Sequence, residues 1–170
     1  MTQTWTEAPT KGQIKSRIDA FLRAFNAGDL KAAFEQCPPV KFVKGEGMTL
    51  RTGLGEQELA QIASETMFQF IKGQSVVDDE IKSAKADEPM TWCKLVTPPA
   101  DYDYEGLSFE FSSDSEEEYD DVPDDTAAND SGEVLANVRL KGEETDITAR
   151  YALLEKDGVW SLGFSNFDVM

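Results

Sequence analysis

Any chemistry this chain performs has to come largely from carboxylates. Its 170 residues hold 33 Asp and Glu, 16 Lys and Arg, two Cys and no His, so the side chain that most often shuttles protons near neutral pH is missing. The pattern nearest to a ligand set is Asp101-x-Asp103-x-Glu105-Gly106, which supplies the oxygens at positions 1, 3 and 5 and the glycine at 6 of a calcium loop. Position 12, where a bidentate Glu would close the cage, is Ser112. Asp101, Asp103 and Glu105 alone would hold a cation weakly, and the expectation is that no metal or other cofactor is resident. Cys37 and Cys93 are too few and too far apart for a disulfide framework or a metal knuckle, and read as reduced, buried thiols.

The carboxylates are not spread evenly. The formal charge is −17, yet residues 101–133 hold 14 of the acids, and no Lys or Arg occurs between Lys94 and Arg139. The other 19 acids face 16 bases, leaving the rest of the chain at only −3. An ordinary domain with one anionic insert follows, which disfavours nucleic acid and anionic membranes as partners and favours a basic protein or a cation. At the centre of the insert runs DSEEEYDDVPDD, from Asp114 through Glu116, Glu117, Glu118, Tyr119, Asp120, Asp121 and Asp124 to Asp125. One reading is a solvated loop, since runs of like charge repel. Another is a docking surface for a basic partner, with Tyr119 and the interleaved Tyr102, Tyr104, Phe109 and Phe111 giving apolar contact and the acids a complementary potential.

These residues need a body to hold them. Ile14, Ile18, Phe21, Leu22 and Phe25 form one apolar stripe at helical spacing, and Thr10-Lys-Gly-Gln13 has the form of a capping box, so a helix starts near residue 11. Asn26-Ala27-Gly28 ends it, and Asp29 caps a second helix with Leu30, Ala33 and Phe34 inward. Pro38-Pro39 stops that helix, and 40–44 with 48–51 read as a short hairpin around Gly45-Glu46-Gly47. A third helix follows, with Leu59, Ile62, Ala63, Met67, Phe70 and Ile71 on its buried side. Residues 76–85 and 90–96 then read as strands, and 134–141, 147–154 and 159–169 as a meander turning at Asp157-Gly158. The expected fold is α+β: three N-terminal helices on a curved antiparallel sheet, one domain over 10–170, with a loose arm at 1–9 and an acidic insertion at 88–132. The first residues lack a charged start and an apolar run, and no stretch approaches the ~18 apolar residues of a membrane helix, so the expected location is cytoplasmic.

FLRAFNAGDL, from Phe21 to Leu30, resembles the first-helix signature of the nuclear-transport-factor-2-like superfamily, the cystatin-like cone that includes ketosteroid isomerases, SnoaL-like cyclases and many non-enzymatic binders. The element order and the closing YALLEKDGVWSLGF from Tyr151 to Phe164 are similar too. The resemblance implies a cone whose interior is lined by Phe21, Phe25, Trp92, Tyr151 and Phe164, as core or as the wall of a pocket. It also implies a homodimer through the outer sheet face. The isomerase chemistry does not carry over: Phe21 stands where the family has its oxyanion-hole tyrosine, Ala152 where it has the oxyanion-hole acid, and neither side chain can donate a hydrogen bond. The base position falls at Gly45, with Glu46 beside it as the single catalytic candidate. The function expected is therefore that of a non-enzymatic acidic protein, an inhibitor or immunity-type protein that masks a basic surface as a nucleic-acid mimic would. The alternative is a SnoaL-like small-molecule enzyme or ligand binder using the interior.

Overall fold

A computed structural model describes residues 4–98, 108–111, 125, 127 and 131–169, with 108–111 described as backbone alone. The chain is α+β. Helix α1 spans Lys11–Asn26 and begins in the expected capping box: the Gln13 amide donates to Thr10 Oγ1 (3.2 Å) and the Thr10 amide to Gln13 Oε1 (2.9 Å). Helix α2, Leu30–Gln36, is capped by Asp29, whose Oδ1 accepts from the Ala32 amide at 3.0 Å. Strands β1 (Val40–Val43) and β2 (Gly47–Leu50) pair antiparallel as a two-stranded sheet.

Helix α3, Glu56–Ala63, runs through a π turn at Ser64–Phe68 into α4, Gln69–Lys72. The π turn corrects the expected stripe. A wider turn changes the phase of the helix, so Phe68 joins Met67 and Ile71 in the core while Phe70 is only half-buried. The strand expected at 76–85 is absent: Ser75–Val77 is a 3-10 turn and Asp78–Ile81 a helical turn, α5. Val77 and Ile81 are the buried pair, a helical spacing of four, and Asp78, Asp79 and Glu80 sit where the helix end favours anions. The second expected strand is also corrected. Pro89–Thr91 and Cys93–Leu95 are 3-10 turns, and only Val96–Thr97 is strand, β3.

Among the described residues the main sheet has five strands: β3, β4 (Ser108–Phe111), β5 (Gly132–Leu140), β6 (Glu143–Lys156) and β7 (Val159–Val169). β3 and β4 both pair with β5, and β5, β6 and β7 form the expected antiparallel meander. Its two turns are Lys141-Gly142 and Asp157-Gly158, with φ of 53° and 77° in the first and 54° and 79° in the second. Positive φ at both central residues matches the right-handed twist of the flanking strands. A bulge near Ser165 shifts the phase of β7, so Phe164 and Phe167 are both buried, their rings 5.8 Å apart.

Two boundaries differ from the sequence reading. Trp92, Cys93, Leu95 and Val96, assigned to the insertion, are core residues, and β3 pairs with β5. Within the expected arm, Trp5 is held: Trp5 and Trp160 exchange backbone hydrogen bonds of 2.8 Å each way, and the guanidinium of Arg17 lies 4.2 Å from the centre of a Trp5 ring. Both cysteines are free and buried, and burial pushes the Cys37 thiol pKa far up. No helix among the described residues is long and apolar enough to cross a membrane.

Candidate functional site

The strands of the meander sort side chains onto two faces. On β6, Ile147, Ala149, Tyr151 and Leu153 point into the core and are fully buried, while Thr148, Arg150, Ala152 and Leu154 lie on the opposite face. Phe21 connects α1 to the inner face: its ring centre lies 5.2 Å from that of Phe164, 5.9 Å from Tyr151 and 6.4 Å from Phe25. Phe25 in turn lies 5.6 Å from Trp92. Phe21, Phe25, Trp92, Tyr151 and Phe164 are each fully buried, so these five rings meet one another across the space between α1 and the sheet. Trp92 donates its indole N–H to the Ala86 carbonyl at 3.4 Å.

The outer face is built differently. Gly163 lets the β1–β2 hairpin cross β7 closely: a Cβ there would collide with Val40 and lie 2.8 Å from Leu50 Cδ2 and 3.0 Å from the Pro38 carbonyl. The Phe164 amide donates to that same carbonyl at 2.8 Å. Beside the crossing, Arg150 is clasped by carboxylates from the two neighbouring strands, with Nε and Nη2 on Glu133 (2.6 and 3.1 Å) and Nη1 on Asp168 (2.8 Å). The Glu133 hydrogen bonds, helped by the nearby charges of Glu133 and Asp168, hold the guanidinium pKa above its ordinary value.

Between β2 and this face lies a groove of about 1010 Å³, lined by Met48, Thr49 and Leu50 on one side and by Glu133, Ala152 and Leu154 on the other. Glu46, Glu155 and Lys156 also border it. Glu46 is therefore on the outside of the molecule: it is exposed in the β1–β2 turn, where its amide donates to the Val43 carbonyl at 3.0 Å. It does not meet the five interior rings. An exposed carboxylate in that position can bind a cation or steer a charge.

Of the anionic run, Asp125 is described and is exposed in a turn. Asp114, Glu116, Glu117, Glu118, Tyr119, Asp120, Asp121 and Asp124 lie outside the described residues, as do Asp101, Asp103 and Glu105 of the half calcium loop and Tyr102 and Tyr104. Phe109 and Phe111 fall in β4. Among the described residues no group of three or more His, Cys, Asp or Glu could hold a metal ion.

The Arg150 clasp, the Gly163 crossing and the groove are absent from the sequence reading. The clasp had a signal, since Glu133, Arg150 and Asp168 are opposite charges on three successive strands. The groove had none, because it depends on how a separate hairpin lies on the sheet. Comparison with models of known protein families, with curated proteins and with solved structures finds no match, so the geometry of this chain alone bears on its function.

Proposed function

We propose that this chain is a non-enzymatic acidic binding protein, an inhibitor or immunity-type protein that masks a basic protein surface as a nucleic-acid mimic does. The observation that carries the reading is the segregation of charge: 14 acids and no bases in residues 101–133, on a body that is otherwise at −3. A block of this kind attracts cationic surfaces over distances at which contact forces do not act, and repels nucleic acid and anionic lipid. The proposed architecture is the nuclear-transport-factor-2-like cone, a curved sheet with the N-terminal helices against one face. What supports it is the order of α1, α2, the β1–β2 hairpin, α3 and the meander, together with the contact of Phe21 with Tyr151 and Phe164. The alternative of a small-molecule site in the cone interior has less support, since the five interior rings contact one another and Glu46 is exposed on the hairpin.

The test is co-expression of the protein with the products of the genes beside its own. A basic neighbour, above all a nuclease, should form a stoichiometric complex in which its activity is lost, and that complex should weaken as salt is raised. Neighbours that build small molecules, with an apolar product bound tightly by the purified protein, would overturn the reading in favour of the interior.

A further inference from the structure

Of the five core rings, only Tyr151 borders the groove between β2 and the outer face of β5 and β6. We propose that it is the docking site for an extended basic segment of the partner protein, one in which Lys or Arg alternates with apolar residues. This rests on the reading of the chain as an acidic protein binder and gives that reading a location.

Three observations carry it. The first is the lining: Met48, 39% exposed, with Leu50 and Leu154 gives an apolar bed, and Glu46 and Glu155 add carboxylates against the single cation Lys156. The second is tethered charge. Phe111 of β4 is paired with Gly132 of β5, and Ser131 and Gly132 line the groove, so the described residue that follows the 112–131 stretch borders it. That stretch includes nine Asp and Glu and no Lys or Arg. The third is the backbone. Among the described strands β2 pairs with β1 alone, which leaves it one edge that an added strand can join. Side chains of such a strand alternate between the groove floor and the outside, which suits an apolar and basic alternation. An acidic segment would instead meet Glu46 and Glu155 with like charge.

The test is a titration of the ¹⁵N-labelled full chain with two synthetic peptides of equal length and charge, one alternating Lys with Val and the other Lys with Ser. The Lys–Val peptide should bind about tenfold more tightly and shift the amides of Met48, Thr49, Leu154 and Glu155. Met48→Lys should remove that preference and leave the weaker Lys–Ser binding nearly unchanged; Glu46→Lys, on the exposed turn, should weaken both. Equal affinity for the two peptides, with shifts confined to residues 112–131, would overturn the groove and leave the acidic reading standing. Failure of both peptides to bind at low salt would overturn both.

Discussion

On β6, Tyr151 is buried against aromatic rings from α1 and β7 and Leu153 is buried in the same core, whereas Arg150 and Leu154, one residue away from each, look out onto a hairpin, a pair of carboxylates and an open groove. The difference shows how one strand meets two demands. The inner residues are exchangeable only for groups of the same volume, because close packing penalises both cavities and overfilling. The outer residues are constrained by charge pairing and by the path of β1 and β2, and leave surface uncommitted to the fold. The acidic stretch joins the sheet at the ends of β4 and β5, where Phe111 pairs with Gly132, a residue that lines the groove.

The inner face is most sensitive at Phe21. Phe21→Ala removes a ring that touches Phe25, Phe34, Tyr151 and Phe164 and should cost about 3–5 kcal/mol in urea unfolding. A loss below about 1 kcal/mol would mean that the inner face is not close-packed. Next comes Gly163→Val, which forces a side chain into Val40, Leu50 and the Pro38 carbonyl and should cost roughly 1–3 kcal/mol. Hydrogen exchange sharpens this one: amides of 40–50 should lose more protection than those of α1, and a uniform loss would show the hairpin to be an integral part of the core.

Smaller effects are expected from ion pairs on the outside. Arg150→Met removes both links to Glu133 and Asp168, but all three side chains are about a third exposed, so screening should hold the loss to about 1 kcal/mol or less. The smallest change should come from the partly exposed surface pair of Glu80 and Lys141, which joins α5 to the β5–β6 turn at 2.5 Å. The Lys141 hydrogen bond holds the Glu80 pKa below its ordinary 4.5, so that contribution is present above 4.5 and fades as pH falls through the lowered value. The same pairing raises Lys141 above its ordinary 10.5, so its contribution is present below 10.5 and fades as pH rises past it. The melting-temperature difference between the parent and Glu80→Gln should therefore exist only between these limits and vanish at either end. A difference that persists in acid would assign it to something other than the ion pair.

What the sequence revealed follows from how local each signal is. The α1 cap, the α1 stripe, the Asp29 cap and the Asp157-Gly158 turn each rest on residues no more than four positions from the next, and the structure has all of them. Residues 76–96 misled because Val76, Val77, Met90 and Trp92 are apolar enough for strands, while short helical turns between α4 and β3 are set by tertiary contacts that no short window contains. The same limit explains the arm. Nothing near Trp5 announces Trp160 or Arg17. The carboxylate-rich stretch was legible as a charge block from composition alone, while the groove beside its attachment point arises from a hairpin and a sheet that are far apart in sequence.

The central claim is that carboxylates on the insert draw a basic partner to this protein, and association kinetics with the basic protein that forms the complex test it most directly. The parent should associate at least about tenfold more slowly when salt is raised from 0.05 to about 0.5 M, because screening shortens the reach of the field, while dissociation changes less. Neutralising Glu116, Glu117, Glu118, Asp120 and Asp121 to Gln or Asn should lower the low-salt association rate and flatten its salt dependence without unfolding the domain. Tyr119→Ala should instead raise the dissociation rate, as loss of an aromatic anchor does. If the neutralised protein associates at the parent's rate with the parent's salt dependence, the insert does not steer binding and the account is contradicted.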